Sequence, residues 1–359
     1  MEPITHLAAG LLTAQALRPS FRQPGLQPGR DPRGLTVLCA VAATIPDIDS
    51  LAGWFGPESY LLHHRGLTHS IFFLPVLALL LALAARKLGA GLTLRQGFIA
   101  AALALFTHLF LDVVTAFGTQ LLAPFSDRRV SFEGVFVVDP AFTLTLLGCA
   151  LAARLKPQRA RTLALAGLAL MVAYPLAGNA LRLNMQARYE ALLEGRGQVV
   201  DQVALSPDAL APYYWKVVLT SGPDLYVTTA NAVRIDKPYP VLRFLRAERA
   251  ELLRLGEEAS IFRTFAWFAT YPAEYPADEA APAPPGLHAR RFVDASFVNS
   301  GPVLSALYGQ GPGFAECDAL LDKAGRLVAW RDWHGDTYAV PEPGSGPQIA
   351  HAATPATRP

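Results

Sequence analysis

Cysteine and charge are both scarce in this chain of 359 residues. Its three cysteines, Cys39, Cys149 and Cys317, lie far apart and form no CxxC pair or Cys/His cluster. Neither a disulfide framework nor a thiolate zinc site is therefore supported. Charged residues make up 17% of the chain, whereas an average soluble protein has roughly 25%. The net charge of +2 is too small to indicate a nucleic-acid partner.

Apolar sequence, by contrast, is in excess. Hydrophobic residues make up 52% of the chain and concentrate between residues 35 and 181, while the final third has the composition of a soluble domain. We therefore predict an α-helical membrane domain at residues 1–184, a small α+β or β soluble domain at 185–340 and a disordered Pro/Gly-rich tail at 341–359. The N-terminus has no basic n-region, and we interpret it as a retained first segment rather than a cleaved signal peptide.

The predicted membrane domain contains five or six hydrophobic segments, depending on whether the last two form one hairpin or two spans. They are Ile4–Leu17, Leu35–Leu51, Ile71–Ala85, Gly97–Phe117, Ala141–Ala153 and Thr162–Leu181. Several are shorter than the roughly 20 residues that a full span needs. Half-spans and helices buried within the bundle are therefore alternatives for the shorter segments.

Basic residues follow a regular pattern in the connections between these segments. Every second connection is rich in them: Arg18, Arg22, Arg30 and Arg33; Arg86, Lys87 and Arg95; Arg154, Lys156, Arg159 and Arg161. The other connections hold only Arg65, Arg128 and Arg129. The positive-inside rule then predicts a multi-pass protein of a bacterial-type inner (plasma) membrane, with the rich loops cytoplasmic and the C-terminal domain extracytoplasmic. The alternative is that arginine falls wherever loops happen to be.

The C-terminal domain shows short runs rich in β-branched and aromatic residues, which predict strands. They are Trp215–Thr220, Leu225–Val233, Ile261–Phe268, Arg291–Val298 and Ala319–Trp330. Turn residues at Ser221–Asp224 join the first two runs, and Asp322–Gly325 bends the last run into a hairpin. We expect a small antiparallel sheet, with a long loop at Pro272–Gly286.

Two ionisable residues interrupt the apolar segment Gly97–Phe117. His108 and Asp112 are four residues apart, so their side chains share one face of a helix. A charged side chain at bilayer depth costs roughly 2.5 kcal/mol or more, and such a pair normally has a partner. A metal ion is the obvious partner for imidazole plus carboxylate. The alternatives are a histidine hydrogen-bonded within the bundle, or a carboxylate that only orients an imidazole.

A second pair of carboxylates ends another apolar segment in the motif IPDID (Ile45–Asp49). Asp47 and Asp49 lie at a membrane boundary without a nearby cation in the sequence. Aspartate also forms turns after a helix, which is the simpler interpretation. Metal ligation is the interpretation we favour.

Three of the eight histidines fall in HHRGLTHS (His63–Ser70). Thr68 is positioned to cap the following helix, which would place His69 in its first turn, and His64 lies one residue before Arg65. A loop rich in interfacial histidine and arginine is an equal alternative. Further along the chain, Arg128 and Arg129 suit a phosphate or an ordinary turn, and Asp139 before Pro140 suits a ligand or a helix cap.

Several motifs occur in a fixed order through the first 147 residues: THLAAG, PDID, HRGLTHS, HLFLD, PFSD and VVDP. In this the chain resembles the YdjM/YbcI-like family of inner-membrane proteins, which are predicted metal-dependent hydrolases, and its longer members with a soluble C-terminal region. The resemblance implies the ligands His6, Asp47, Asp49, His64, His69, His108 and Asp112. The family is similar, more distantly, to helical zinc phosphoesterases of the phospholipase C and P1-nuclease type. Their His-x-x-x-Glu step has Asp112 in place of Glu in this chain.

These observations lead to the hypothesis of a membrane-embedded metal-dependent hydrolase. We expect a divalent metal, zinc first with Mn²⁺ or Fe²⁺ as alternatives, and two ions because the ligands are numerous. Asp49 or Asp112 would act as general base, and Arg65 with Arg128 would stabilise charge on a phosphoester. The expected substrate is a lipid or lipid-linked phosphoester, with membrane lipid as partner. The alternatives are a metal or proton transporter and a non-catalytic protein with a structural metal.

Overall fold

The computed structural model describes residues 1–21, 33–276, 282–311 and 314–340 of the chain. The predicted tail at 341–359 lies outside the described residues. The described chain divides into two compact units. The first comprises Met1–Phe55, His63–Asn184 and Ala209–Pro212, and the second comprises Gly56–Leu62, Met185–Asp208 and the described residues from Tyr213 onward.

The first part of the chain is helical, as predicted. Its α-helices are α1 (Pro3–Leu17), α2 (Arg33–Ala42), α3 (Pro57–His63), α4 (Leu74–Lys87), α5 (Leu94–Val113), α6 (Pro140–Leu155) and α7 (Ala160–Gly195). Two 3₁₀ segments, Ile45–Phe55 and Leu67–His69, lie between them, and two more, Arg18–Phe21 and Pro157–Arg159, follow α1 and α6. Helix α5 begins with a capping box, in which the Thr93 hydroxyl accepts from the Gln96 N–H at 3.2 Å and the Gln96 side chain accepts from the Thr93 N–H at 3.1 Å.

Two of the described helices are long and apolar enough to cross a membrane: α5, and the stretch Pro157–Gly195 that includes α7. Two bent helix pairs would raise the number to four, with a bend of 41° after Ala42 and one of 73° before α4. The predicted five or six spans are not confirmed. Helices α1 and α6, with 15 and 16 residues, are shorter than a span requires.

Small residues let α1 pack deeply within the first unit. A side chain added at Gly10 would bring its Cβ within 2.6 Å of the Cys39 carbonyl of α2. On the neighbouring faces Ala8, Ala9 and Leu12 are fully buried. Helix α1 packs against α2, α5 and α6, so the start of α1 and the end of α5 lie side by side. This arrangement positions the candidate site.

The second unit contains a nine-stranded antiparallel sheet whose strands follow one another in chain order. The strands are β1 (Gln202–Pro207), β2 (Tyr214–Ser221), β3 (Asp224–Asn231), β4 (Leu242–Arg246), β5 (Pro272–Glu274), β6 (His288–Asp294), β7 (Glu316–Leu321), β8 (Leu327–Asp332) and β9 (Thr337–Ala339). The sheet is accompanied by α8 (Arg249–Glu258), α9 (Ser260–Phe268) and α10 (Pro302–Tyr308). The predicted antiparallel sheet is confirmed, including both predicted hairpin turns.

One predicted strand is wrong, because Ile261–Phe268 forms most of helix α9. Phe262 and Phe265 are three residues apart and both are buried, which is helical spacing. A short apolar run rich in aromatic residues does not distinguish the two structures by itself. The run Arg291–Val298 is a strand only as far as Asp294, and a 3₁₀ turn follows.

Helix α3 belongs mainly to the second unit, although it lies in the chain between two histidine- and aspartate-bearing segments of the first. Its Glu58 carboxylate accepts hydrogen bonds from the hydroxyls of Ser260 at 2.7 Å and Thr264 at 2.9 Å, both on α9. Nothing in the local sequence of α3 indicates that it belongs to the second unit.

Candidate metal centre

The end of helix α5 carries two buried polar side chains, as its i, i+4 spacing predicts. His108 and Asp112 have no exposed surface. The Nε2 atom of His108 lies 3.1 Å from Oδ2 of Asp112. One helical turn therefore presents an imidazole and a carboxylate to the same point.

His69 reaches that point from the 3₁₀ segment Leu67–His69. Its Nε2 atom lies 3.0 Å from Oδ2 of Asp112 and 3.0 Å from Nε2 of His108. Three donor atoms thus lie within about 3 Å of one another. The predicted capping role of Thr68 is wrong, because α4 begins only at Leu74 and the Thr68 hydroxyl donates instead to Asp49 at 2.5 Å.

Both imidazoles are held by their other ring nitrogen. Nδ1 of His108 lies 2.8 Å from the carbonyl of Ala43, and a carbonyl only accepts, so this nitrogen carries the proton. Nδ1 of His69 lies 2.9 Å from the carboxylate of Asp49. With Nδ1 protonated, Nε2 has a lone pair directed at the common point. Metal-bound histidines in proteins are oriented in the same way.

His6 and Asp47 complete the cluster. His6 is fully buried, its ring stacks on that of His108 at 3.9 Å, and neither of its nitrogens has a hydrogen-bond partner among the described residues. Its Nε2 lies 3.5 Å from Asp112 Oδ1 and 3.9 Å from Asp47 Oδ2. Oδ1 of Asp47 lies 3.5 Å from Nε2 of His69. The Asp47 side chain is 24% exposed, whereas His6, His69, His108 and Asp112 have no exposed side-chain surface.

The geometry fits a divalent ion. Bonds of about 2.0–2.1 Å place neighbouring ligand atoms about 3.0–3.4 Å apart. His6, Asp47, His108 and Asp112 present ligand atoms within 4.8 Å of one another, and Nε2 of His69 lies among them. A buried imidazole with two unpaired nitrogens is costly in a bundle unless something binds it. The residues present therefore could hold a metal ion.

A second group of Asp47, Asp49 and His64 also meets the distance requirement for an ion. Asp47 is common to both groups. Asp49, however, contacts four donors: the backbone N–H of Arg65 at 3.0 Å, the Thr68 hydroxyl, and Nδ1 of His64 and of His69, each at 2.9 Å. The carboxylate of Asp49 therefore orients the imidazoles of His64 and His69. Asp47 is the other carboxylate of this group, and it has fewer close contacts than Asp49.

The other residues singled out in the sequence fall outside the cluster or line it differently. Asp139 caps α6 by accepting from the Phe142 N–H at 3.0 Å and also accepts from the Tyr174 hydroxyl at 3.0 Å. The capping alternative is therefore the one observed. Arg128 is exposed. Arg65 is 3% exposed, and its guanidinium lies 2.9 Å from Asp112 Oδ1.

A family model described as YdjM inner membrane protein matches residues 1–185. The chain belongs to the YdjM family. The matched region includes all seven proposed ligands and ends within α7. The resemblance of the sequence to this family is thus confirmed, whereas similarity to zinc phospholipase C or P1 nuclease is not shown.

A relative of this chain has a name that states no activity. The chain is 25% identical over 203 residues to the uncharacterized protein YfhP of Bacillus subtilis (strain 168). The match covers 55% of this chain and about 60% of the length of that relative. No solved structure matches the chain.

Several contacts at the centre of this YdjM-family protein were missed in the sequence. The Ala43 carbonyl orients His108, and a backbone oxygen has no residue-type signal. The amino group of Met1 and the guanidinium of Arg65 both contact Asp112. Only the second could have been suspected, because an arginine adjoins His64 in the motif.

Proposed function

We propose that this YdjM-family protein is a membrane-embedded, metal-dependent hydrolase of phosphoesters. The observation that carries the proposal is the meeting of Nε2 of His69, Nε2 of His108 and Oδ2 of Asp112 within about 3 Å, with each imidazole held by its Nδ1. Such a set has the spacing and orientation of ligands around one ion. Imidazole and carboxylate donors without thiolate suit Zn²⁺, with Mn²⁺ or Fe²⁺ as alternatives.

Asp47 bears on the number of ions. Its carboxylate is common to the two possible ligand groups, so Asp47 could help to hold an ion in either group. The contacts of Asp49 support one firmly held ion at His6, His69, His108 and Asp112, and a second ion that depends on Asp47 and His64. A bound divalent ion would supply a Lewis acid and an activated water to the site.

Catalysis, rather than a structural role, is supported by the uneven burial of the ligands. A structural site is closed on all sides, whereas a catalytic site keeps one position open. Asp47 is the partly exposed member of the cluster, at 24%. We assign it to the open side, where one of its carboxylate oxygens would accept a proton from the attacking water. Asp49 is a poorer candidate for this base because its oxygens already accept several hydrogen bonds.

A lipid or lipid-linked substrate is supported by the apolar rim of the ligand-bearing segments. Trp54 and Phe55 end the segment that carries Asp47, and they are 82% and 85% exposed. Phe125, 78% exposed, follows a loop whose Leu121 carbonyl accepts from the backbone of Ile71, just after His69. Tryptophan is enriched at membrane–water interfaces, and phenylalanine is common with it on the apolar faces of interfacial helices. A phosphate headgroup at that level would be within reach of the site.

The membrane topology belongs to the same proposal. From the alternation of basic loops we infer that residue 90 is cytoplasmic and residue 250 extracytoplasmic in the inner membrane. The variants Ala90→Cys and Ala250→Cys, made in a chain with Cys39, Cys149 and Cys317 replaced by serine and labelled from outside with an impermeant maleimide, should react only at position 250. Labelling of both from one side would mean that the number of spans is wrong by one.

The function is tested on the full-length protein purified in detergent. We expect bound divalent metal by elemental analysis and hydrolysis of a generic phosphodiester, such as bis(p-nitrophenyl) phosphate, that stops when a chelator is added. His108→Ala should remove both metal and activity while the protein still inserts. The hydrolase proposal is lost if the protein binds metal, hydrolyses no phosphoester, and loses much of its thermal stability on chelation, because that pattern belongs to a structural ion.

A further inference from the structure

Arg65 has an unusual backbone for a residue with a long side chain. Its φ angle is +58°, in the left-handed region that residues other than glycine enter uncommonly. Its carbonyl accepts from the Gln120 N–H at 2.9 Å and its own N–H donates to Asp49 Oδ2 at 3.0 Å. A backbone conformation of this kind is maintained only when the surroundings determine it strongly.

The side chain of Arg65 extends away from Asp49 and reaches the carboxylate of Asp112. The guanidinium Nη2 lies 2.9 Å from Asp112 Oδ1, and Nη1 donates to the Asp112 carbonyl at 3.2 Å and to the Thr115 hydroxyl at 2.8 Å. The Thr115 hydroxyl itself donates to the same Asp112 carbonyl at 2.8 Å. The guanidinium also lies 4.9 Å from the centre of the Phe117 ring. These contacts fix the guanidinium against the last turn of α5.

Arg65 therefore touches both carboxylates that control the imidazoles. Through its N–H it fixes Asp49, which orients His64 and His69, and through its guanidinium it fixes Asp112, which faces His69 and His108. Arg65 is 3% exposed, so neighbouring protein atoms cover its side chain. The predicted role of Arg65 was to stabilise charge on a phosphoester together with Arg128, and its contacts favour a different role.

We propose that Arg65 is a positioning residue, which couples the two halves of the metal centre by holding Asp49 and Asp112 in register and makes no contact with substrate. The proposal rests on the part of the proposed function that places a metal at the cluster, and it does not depend on hydrolysis. The planar fork of arginine is required because two adjacent donors must reach the carboxylate and the carbonyl of one residue.

The test is the Zn²⁺ affinity of the full-length protein in detergent, measured by competition with a chromogenic chelator. Arg65→Gly removes the guanidinium but keeps the N–H and tolerates the positive φ. We expect affinity to fall about 10–100-fold, the range for residues that orient metal ligands. Arg65→Lys should recover only part of this loss, because one ammonium cannot reproduce the fork.

Arg129→Ala is the matched control, because the Arg129 guanidinium lies 5.0 Å from the same Phe117 ring. It should leave Zn²⁺ affinity unchanged. If Arg65→Gly binds Zn²⁺ as the wild type does and only weakens inhibition by inorganic phosphate, Arg65 binds the substrate and the proposal is wrong. Equal loss in Arg65→Gly and Arg129→Ala would also overturn it, since a general packing effect would then suffice.

The result separates this inference from the proposed function. Wild-type protein that binds Zn²⁺ without hydrolysing phosphoesters would remove the hydrolase and leave the role of Arg65 intact. Unchanged affinity in Arg65→Gly would remove only the role of Arg65. A wild type that binds neither Zn²⁺ nor Mn²⁺ nor Fe²⁺ would overturn both.

Discussion

Asp112 and Asp294 are both fully buried carboxylates, and their surroundings differ in kind. Asp112 lies in the first unit, called here the helical unit, and Asp294 lies in the second, called the sheet unit. Asp294 accepts from the backbone N–H groups of Thr270 at 2.8 Å, Tyr271 at 3.1 Å and Ser296 at 2.9 Å. Backbone donors thus satisfy its carboxylate, and the buried Lys216 interacts with its charge. Asp112 faces the imidazoles of His69 and His108, and its Oδ2 has no well-formed hydrogen bond among the described residues.

Two arginines of the sheet unit are also paired with carboxylates. Arg290 bonds to Glu274 and Glu251, and these hydrogen bonds, with Glu274 first, raise the pKa of its guanidinium. Arg291 pairs with Asp318 at 2.7 Å. Paired charges of this type hold a fold together and need no ligand. A buried group of imidazoles and carboxylates with unpaired atoms indicates where the molecule binds something.

The largest effect is expected from exchanging the two buried aspartates for asparagine. Asp112→Asn should reduce bound metal from the wild-type stoichiometry to background, because a neutral amide is a much weaker metal ligand than a carboxylate. Asp294→Asn should leave metal content unchanged and lower the free energy of unfolding by about 1–3 kcal/mol, since backbone donors lose their carboxylate. Elemental analysis and thermal unfolding of both variants measure this. Equal metal content in the two variants would contradict the contrast.

Close packing in the helical unit gives the next effect. A Cβ at Gly178 in α7 would lie 1.9 Å from the Gly134 carbonyl, whereas a Cβ at Gly148 in α6 would meet nothing within 4 Å. Gly178→Ala should therefore destabilise the unit by about 1–3 kcal/mol, as overpacking does. Gly148→Ala should be tolerated. Thermal unfolding in detergent compares them, and similar melting temperatures would contradict a close contact between α7 and the loop at Gly134.

A smaller effect is expected for the hydroxyl that supports Asp49. Thr68→Val removes its donor at 2.5 Å and should weaken Zn²⁺ binding about tenfold, at the low end for such supporting contacts. Thr264→Val removes an equivalent hydroxyl–carboxylate bond to Glu58 in the sheet unit, at 2.9 Å. Zn²⁺ affinity should not change in that control. The same fall in Zn²⁺ affinity in both variants would mean that the loss does not come from the hydrogen bond between Thr68 and Asp49.

The smallest effect concerns acid stability of the sheet unit. The hydrogen bond from Arg290 lowers the pKa of Glu251. The stabilisation of the fold by this pairing is therefore complete above the ordinary pKa of glutamate and is lost as pH falls through the lowered pKa. Glu251→Gln should cost about 0.5 kcal/mol at pH 7 and almost nothing in strong acid.

Glu316 supplies the control of opposite sign. Burial raises the pKa of its carboxyl group, so ionisation at neutral pH opposes folding. The stability of Glu316→Gln, measured relative to the wild type at the same pH, should be higher at pH 7 than at pH 4. Denaturant unfolding at several pH values measures both variants, and matching pH dependence for the two would contradict these assignments.

The sequence predicted the helical and sheet regions correctly because periodicity and turn residues are local signals. The Ser221–Asp224 turn joins β2 and β3 as predicted. Within the candidate site, the spacing of His108 and Asp112 was enough to place both on one helical face. The strand predicted at Ile261–Phe268 was wrong because a short apolar run fits a buried helix as well as a strand.

Sequence alone determined which residue types are available at the centre, since histidine and aspartate within apolar segments are costly enough to be noticed. Tertiary structure decided what each one does. The Ala43 carbonyl sets the orientation of His108, four donors turn Asp49 into a support for imidazoles, and the guanidinium of Arg65 is directed to Asp112. These roles depend on distances between segments that are far apart in the chain. Such distances depend on close packing between segments, of which the approach of α1 to α2 at Gly10 is one example.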